Sequence, residues 1–181
     1  MITTPTLDTP RRIENNYVID LGACHNLHVP AGNEIVFQAY AKGEQIYRWD
    51  GANWIYVAPR AVLFEDAQVK AMVGAHYVGP TWQSFSGSKV LGRVLQSCVV
   101  DSDAIPWLLL EAVAAERPGV FQQVTFIQQV NTAGGKAPTA PGRVIDEVVE
   151  VPYTAKYIFY QPNEPFPRTA DDGVISPGAV R

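Results

Sequence analysis

Alternation of side chains with a period of two residues is the feature that most constrains this chain. Residues 68–78 show it most clearly, with Val69, Val73 and Tyr77 on one face and Lys70 and His76 on the other. Such a pattern predicts a strand, because successive side chains of a strand point to opposite faces of the sheet. The pattern recurs in four other segments, residues 34–40, 88–100, 120–130 and 147–160. We therefore expect a domain built from several long strands.

The composition supports the same fold class. Val and Ile together number 33 against 9 Leu, and branched side chains fit strands better than helices. Asp50 and Gly51 form a hairpin signal, and Trp49 and Trp54 on either side of it are predicted to pair across the strands, with a ligand platform as the alternative. Strands without regularly alternating helices predict one antiparallel all-β domain, either a barrel or a two-layer sandwich.

One segment departs from the strand pattern. Ser102 and Asp103 are residues that cap helices, and Pro106 follows them in what would be the first turn. Pro118 and Gly119 would end such a helix. The sequence therefore predicts a single short helix at about residues 104–116.

Within the 88–100 strand, Gly92 predicts a bulge or a close approach of another group to the backbone.

Three parts are expected along the chain: an arm at residues 1–26, a single β domain at 27–160 and a Pro-rich tail at 161–181. No stretch approaches the roughly 20 apolar residues of a membrane-spanning helix, and a net charge of -4 argues against nucleic acid as a partner. The N-terminal residues lack the apolar core of a secretory signal. A cytoplasmic location is expected for the chain as written, and secretion if it is a trimmed mature form. Cys24 and Cys98 either form a disulfide or stay free.

His76 is the main candidate for a functional side chain. It stands in GAHYVGPTW, where small residues precede it and a Gly-Pro turn follows it, so other groups have room to approach. An imidazole exchanges protons or holds a ligand oxygen near neutral pH. The alternative is a core histidine whose nitrogens are satisfied by the protein. A hairpin would bring Lys89 close to His76, and the two beside Trp82 would suit an anionic or carbonyl-bearing ligand, although a lysine at a strand entry is usually solvated.

Other motifs carry little chemistry. Cys24, His25 and His28 superficially resemble metal ligands, but a metal site needs three or four converging ligands, and we expect none. The sequence holds no nucleophile elbow, phosphate loop or Cys-x-x-Cys motif, and no cofactor is expected. Several glutamines among apolar residues either face water or line a polar cavity.

Seven blocks, in order, carry a resemblance to a known family. They are VPAGNEIVFQAYAKGEQIY, PRAVLF, VGAHYVGPTW, GSKVLG, IPWLLL, VTFIQQVNTAGGKAP and VPYTAKYIFY. Over about residues 27–160 the chain resembles the domain of unknown function 3455 family, many of whose members are exported proteins of bacteria and fungi. The family brings no established activity. Its most typical positions fall on Gln45, Tyr47, His76, Gly79, Pro80, Thr81, Trp82, Gly87, Ser88, Trp107, Gly134, Gly135, Tyr153 and Tyr157.

The chain departs from this family at four places. Arg48 and residues 139–143 stand where members tend to carry two cysteines, and their joint absence implies the loss of a disulfide, which suits a reducing compartment. Ser86 replaces a usual acidic residue, and Gln129 replaces a usual arginine. These two replacements put in question any family chemistry that uses an acid and a base at those positions.

We expect a soluble domain that binds a small, largely apolar or carbonyl-bearing molecule in a pocket lined by Gln45, His76, Trp82, Gln128 and Tyr157. The first alternative is a cofactor-independent enzyme of the cyclase, isomerase or lyase type. It would use His76 as acid and base, with Lys89 or Tyr47 as the electrophilic partner. The second alternative is a structural or interaction module without a pocket. The sequence leaves homodimer formation open.

Overall fold

The computed structural model describes residues 19–163, and eight antiparallel strands make up most of this part of the chain. A single 3-10 turn, His25–Leu27, precedes them. The strands are β1 (Asn33–Trp49), β2 (Trp54–Phe64), β3 (Met72–Tyr77), β4 (Thr81–Ser84), β5 (Lys89–Cys98), β6 (Trp107–Glu116), β7 (Phe126–Gly134) and β8 (Val148–Pro162). The all-β, antiparallel prediction is confirmed. The arm and tail predictions at residues 1–18 and 164–181 lie outside the described residues.

The sheet closes on itself as a ring. Each strand pairs with the next along the chain, and β8 returns to pair with β1 from Asn33 opposite Pro162 to Arg48 opposite Val148. The predicted hairpin forms, and Trp49 pairs with Trp54 at its end, with ring centroids 5.3 Å apart. A closed ring leaves no long strand edge open to another chain.

The predicted helix at residues 104–116 is wrong, because this segment contains strand β6. Leu110 points into the ring, where it joins the main core, whereas Leu109 points outward into a second apolar cluster. A strand buried on both faces is a continuous apolar run, which periodicity cannot distinguish from a buried helix. In the structure, the neighbouring residues Leu109 and Leu110 are buried in separate clusters on opposite faces, as successive residues of a strand are.

Two further boundaries differ from the expected pattern. Strand β3 begins at Met72 rather than at residue 68, because Val69 lies in the left-handed region of the backbone with φ at 53°. Strand β7 begins at Phe126 rather than at residue 120. The residues before it form turns that place Phe121 and Val124 in the core.

The 117–125 segment closes one end of the ring. The ring of Phe121 packs against Phe37 at 5.6 Å and against Phe159 at 4.8 Å between centroids. Burial of large aromatic side chains contributes much of the apolar stabilisation of a small core. The buried Ser88 hydroxyl also lies at this end and accepts from the Phe121 N–H at 3.2 Å, whereas Gln45, His76 and Gln129 lie toward the opposite end.

Residues 19–27 cover part of the outer face of the sheet. Leu21, Cys24 and Leu27 pack with Leu109, Val130 and Ile158 in a cluster separate from the interior. Cys24 and Cys98 form a disulfide, which decides the pairing that the sequence left open. A disulfide is compatible with an extracellular protein, so the cytoplasmic location inferred from the missing family cysteines stays a prediction.

Within residues 19–163, no helix has the length and apolar character that a membrane crossing requires.

Candidate functional site

A cavity of about 470 Å³ opens at the end of the ring opposite the 117–125 segment. Its wall runs from buried side chains in the interior to exposed ones at its mouth, where Tyr56, Val57, Val78 and Val94 are all about half exposed or more. The lining residues are Gln45, Tyr47, Tyr56, Val57, Pro59, His76, Val78, Gly79, Pro80, Trp82, Val94, Ile105, Pro106, Leu108, Leu110 and Gln129.

His76 lies deep in this wall and is held by its neighbours on the β3–β4 hairpin. It is 4% exposed, and its ring stacks on that of Trp82, its direct partner across the two strands, with centroids 4.5 Å apart. Its Nδ1 lies 2.9 Å from the carbonyl oxygen of Thr81. Because a carbonyl only accepts hydrogen bonds, Nδ1 carries the hydrogen in the neutral ring, and Nε2 keeps its lone pair.

The charge state of His76 follows from its surroundings. Burial lowers the pKa of this imidazole from 6.5 to about 4, and the hydrogen bond to the Thr81 carbonyl opposes the shift only in part. The ring is therefore uncharged at neutral pH. It offers a hydrogen-bond acceptor and is a weak base.

Tyr157 forms the support behind this pair. Its ring lies 5.0 Å from that of His76 and 5.3 Å from that of Trp82 between centroids. Its hydroxyl donates to Oε1 of Gln129 at 2.8 Å, and Nε2 of Gln129 donates to the Pro106 carbonyl at 2.9 Å. Tyr157 therefore fixes the rings that line the cavity, and Gln129 has partners for both ends of its amide.

Gln45 and Tyr47 project from β1 into the same cavity. The Tyr47 hydroxyl donates to the carbonyl of Gly135 at 2.7 Å, and burial raises its pKa. Gln45 is 5% exposed, and no group among residues 19–163 hydrogen-bonds to its amide. The amide atoms of Gln45 are not among the fully buried atoms without a partner in the described structure, so they face the cavity, where a ligand can bond to them.

Trp82 adds a further polar atom that the described residues do not use. Its Nε1 is buried, and no acceptor for its hydrogen is present in the described part of the chain. The far edge of the same indole lies over Gly92, where a Cβ would come within 2.9 Å of Cζ3. The predicted close approach at Gly92 is thus confirmed, and a register shift next to it shows that the predicted bulge is also present.

No Asp, Glu, Lys or Arg stands among the cavity-lining residues of the described structure. A separate depression that His76 also borders does hold charged side chains, Lys42, Glu44 and Arg60, and there Arg60 contacts Glu150 at 2.6 Å and Glu44 at 3.6 Å. An uncharged, mainly apolar wall favours an uncharged guest, because a bare ion would lose its hydration there without an opposite charge to replace it.

The structure does not bring Lys89 into the cavity. Its ammonium is partly exposed and lies 3.8 Å from Glu116, in a shallow depression with Tyr77 on the outside of the ring. The sequence analysis expected a direct hairpin between the strands that carry His76 and Lys89. In the structure β4 lies between β3 and β5, so these two strands do not pair.

Gln128 also lies apart from the other predicted residues, on the outer face of β7. Its Nε2 donates to the Leu27 carbonyl at 2.7 Å, and its Oε1 accepts from the Tyr160 hydroxyl at 2.6 Å. Its neighbour Gln129 points inward instead, because adjacent residues of a strand face opposite ways. Strand alternation puts Gln129 on the same face as the core residue Ile127, and this pattern could have shown that Gln129, rather than Gln128, faces the interior.

Several lining residues were missed by the sequence analysis. Tyr56 pairs with Tyr47 across β1 and β2, and its position in the predicted hairpin was the available signal. Ile105, Leu108 and Leu110 were not identified as lining residues because this segment was predicted to be a helix.

One cysteine of the segment that superficially resembled metal ligands, Cys24, is in the disulfide. Residues 19–163 hold no group of three side chains suited to a metal ion.

Residues 30–161 match the family described as "Protein of unknown function (DUF3455)". No curated protein and no solved structure matches the chain.

Proposed function

Because the chain belongs to the DUF3455 family, whose description assigns no activity, we propose a function from its own geometry: it binds a small, uncharged, mostly apolar molecule in the cavity beside His76. The volume of about 470 Å³ lies within the range of roughly 300–1,000 Å³ that ligand sites occupy. Apolar walls with a few polar groups are the usual composition of such sites.

One observation carries the proposal: His76 and Gln45 line the same cavity, both are more than nine-tenths buried, and both keep hydrogen-bonding atoms that the described residues do not use. Buried polar groups in folded proteins nearly always have partners. A ligand that reaches the cavity would supply them. The apolar mouth at Val57, Val78 and Val94 would let such a molecule enter without meeting a charge.

The test is a titration with N-phenyl-1-naphthylamine, an uncharged probe whose fluorescence rises in apolar surroundings. We expect binding by the wild-type protein and at least tenfold weaker binding by Leu108→Trp, which fills the cavity from β6. Leu95→Trp is the matched control, because Leu95 lies on β5 and is exposed. Absence of binding by the wild type, or equal affinity in all three proteins, would refute the proposal.

The enzyme hypothesis has one observation in its favour and one against it. Tyr47 lines the same cavity as His76, as a catalytic pair would require, whereas Lys89 does not. A pKa of about 4 also makes His76 a weak base at neutral pH. Conversion of a bound compound by the wild type, lost in His76→Phe while binding persists, would favour the enzyme. The interaction-module hypothesis instead predicts no probe binding and a mass above that of one chain in light scattering.

A further inference from the structure

We propose that the ligand carries a hydrogen-bond donor, a hydroxyl or an N–H, and that this donor binds Nε2 of His76. The inference rests on the proposed function and specifies the chemistry of the molecule that the cavity takes. Such a ligand is an uncharged alcohol, phenol or amide with an apolar body, rather than a hydrocarbon, an ether or an acid.

The first step is the position of the ring hydrogen. The bond from Nδ1 to the Thr81 carbonyl fixes this hydrogen on the side of the ring that faces the β3–β4 turn. The turn itself is held by two more bonds: the Thr81 hydroxyl donates to the Val78 carbonyl at 2.9 Å, and the Gly92 N–H donates to the Pro80 carbonyl at 3.0 Å. A ring tied to a well-fixed turn keeps one tautomer. Nε2 is then an acceptor and cannot donate.

The second step is that no neighbouring side chain donates to Nε2: most of the nearby donors bond elsewhere, and the Gln45 amide and Trp82 Nε1, which do not, make no bond to it. The Tyr157 hydroxyl donates to Gln129, and the Tyr47 hydroxyl donates to Gly135. Gln129 donates to Pro106. No side chain of the described residues therefore donates to Nε2, although the ring is almost fully buried.

The third step concerns the charge of the donor. The cavity lining contains no carboxylate that would favour a cationic donor such as an ammonium, and no cation that would hold an anion. An uncharged hydroxyl or N–H satisfies Nε2 without moving an ion out of water. The Gln45 amide, which both donates and accepts, suits the remaining polar atom of the same ligand.

The experiment compares two probes of nearly equal shape, p-cresol and its methyl ether, 4-methylanisole. The phenol donates a hydrogen bond and the ether does not. We expect the wild type to bind p-cresol about tenfold more tightly, which corresponds to one buried hydrogen bond. His76→Phe keeps an aromatic ring on Trp82 but has no acceptor, so it should bind both probes equally. His25→Phe, at an exposed histidine, is the matched control and should keep the preference.

The outcomes separate this inference from the proposed function. Binding of neither probe by the wild type refutes the proposed function and this inference with it. Equal binding of both probes by the wild type leaves the cavity as a binding site and overturns the donor requirement. A preference that persists in His76→Phe overturns the role of Nε2.

A second measurement does not depend on a variant that folds. In ¹⁵N NMR spectra of the wild type, the Nε2 resonance of His76 should lie in the range of an unprotonated ring nitrogen and shift when p-cresol is added. The exposed His25 and His28 provide reference signals in the same spectrum. A hydrogen found on Nε2, or an Nε2 signal unchanged when p-cresol saturates the cavity, would overturn the inference.

Discussion

His76 and Trp82 lie directly opposite each other on β3 and β4, with their rings 4.5 Å apart between centroids and inclined by only 14°. The turn between them returns the chain so that the Thr81 carbonyl reaches the imidazole. Tyr157 packs against both rings from β8. The position of the imidazole at the cavity wall is therefore fixed by packing inside the closed sheet. Substitutions that alter this packing should also alter ligand binding.

Gly92→Ala is expected to destabilise the protein by about 1–3 kcal/mol, the usual cost of overpacking a core. The added methyl group would lie 2.9 Å from Cζ3 of Trp82 and 3.3 Å from Cδ2 of Leu110, and the buried indole has little room to move. Urea denaturation measures the free energy of unfolding. Gln96→Ala, at an exposed position on the same strand, should change it little. A Gly92→Ala protein as stable as the wild type would contradict the packing described for Trp82.

The wild type should lose stability as the pH falls from about 6.5 to about 4, partly through His76. The unfolded chain binds a proton near pH 6.5, whereas burial lowers the pKa of the folded imidazole to about 4. The unfolded state therefore gains protons first, and the contribution of this residue, at most about 3 kcal/mol, disappears as the pH falls through this range. His76→Phe should show a shallower dependence when unfolding is followed by urea denaturation at several pH values. Equal pH dependence in the two proteins would show that His76 titrates normally.

Reduction of the disulfide between Cys24 and Cys98 should destabilise the protein by roughly 4 kcal/mol. The bond links residues 74 apart in sequence, and a cross-link of that span restricts the unfolded chain considerably. The double variant Cys24→Ser/Cys98→Ser should match the reduced wild type in urea denaturation. Hydrogen exchange should also show that residues 19–27 open more readily. An unfolding midpoint that does not change on reduction would contradict this stabilising role.

Two neighbouring glutamines should respond differently to the same substitution. Gln129→Leu removes the acceptor of the Tyr157 hydroxyl and alters the cavity wall, so we expect weaker binding of p-cresol and a loss of about 1–3 kcal/mol in stability. Gln128→Leu breaks the bonds to Leu27 and Tyr160 on the outer face, so stability should fall by a similar amount while p-cresol affinity stays the same. Calorimetric titration measures the affinities. The reverse pattern would show that the two side chains are assigned to the wrong faces.

Much of the strand content was predictable from local pattern, but the site was predictable only in part. Alternation indicated β1, β5 and β8, and Asp50-Gly51 indicated the first hairpin, because both signals depend on neighbours in sequence. The failure at residues 104–116 has a different cause: Leu109 is buried by residues 19–27, a contact between distant segments that periodicity does not contain.

The same limit applies to the site residues. Gln45, Tyr47, His76 and Trp82 do line one cavity, and Tyr157 supports it from behind. Lys89 was misplaced because closeness along the chain does not determine which face of a sheet a side chain occupies. The pairing of β1 with β8, which encloses the interior, joins residues at least 100 positions apart in sequence and leaves no local signal.

The pairing of Asn33 with Pro162 has a practical consequence. The backbone enters the ring beside the point where it leaves, and the Asn163 N–H donates to the Gly32 carbonyl at 2.9 Å. Both points lie at the end closed by Phe121, remote from Val57 and Val78. A solid support or fusion partner joined to the domain at residue 163 would therefore leave the opposite face unobstructed for molecules arriving from solution.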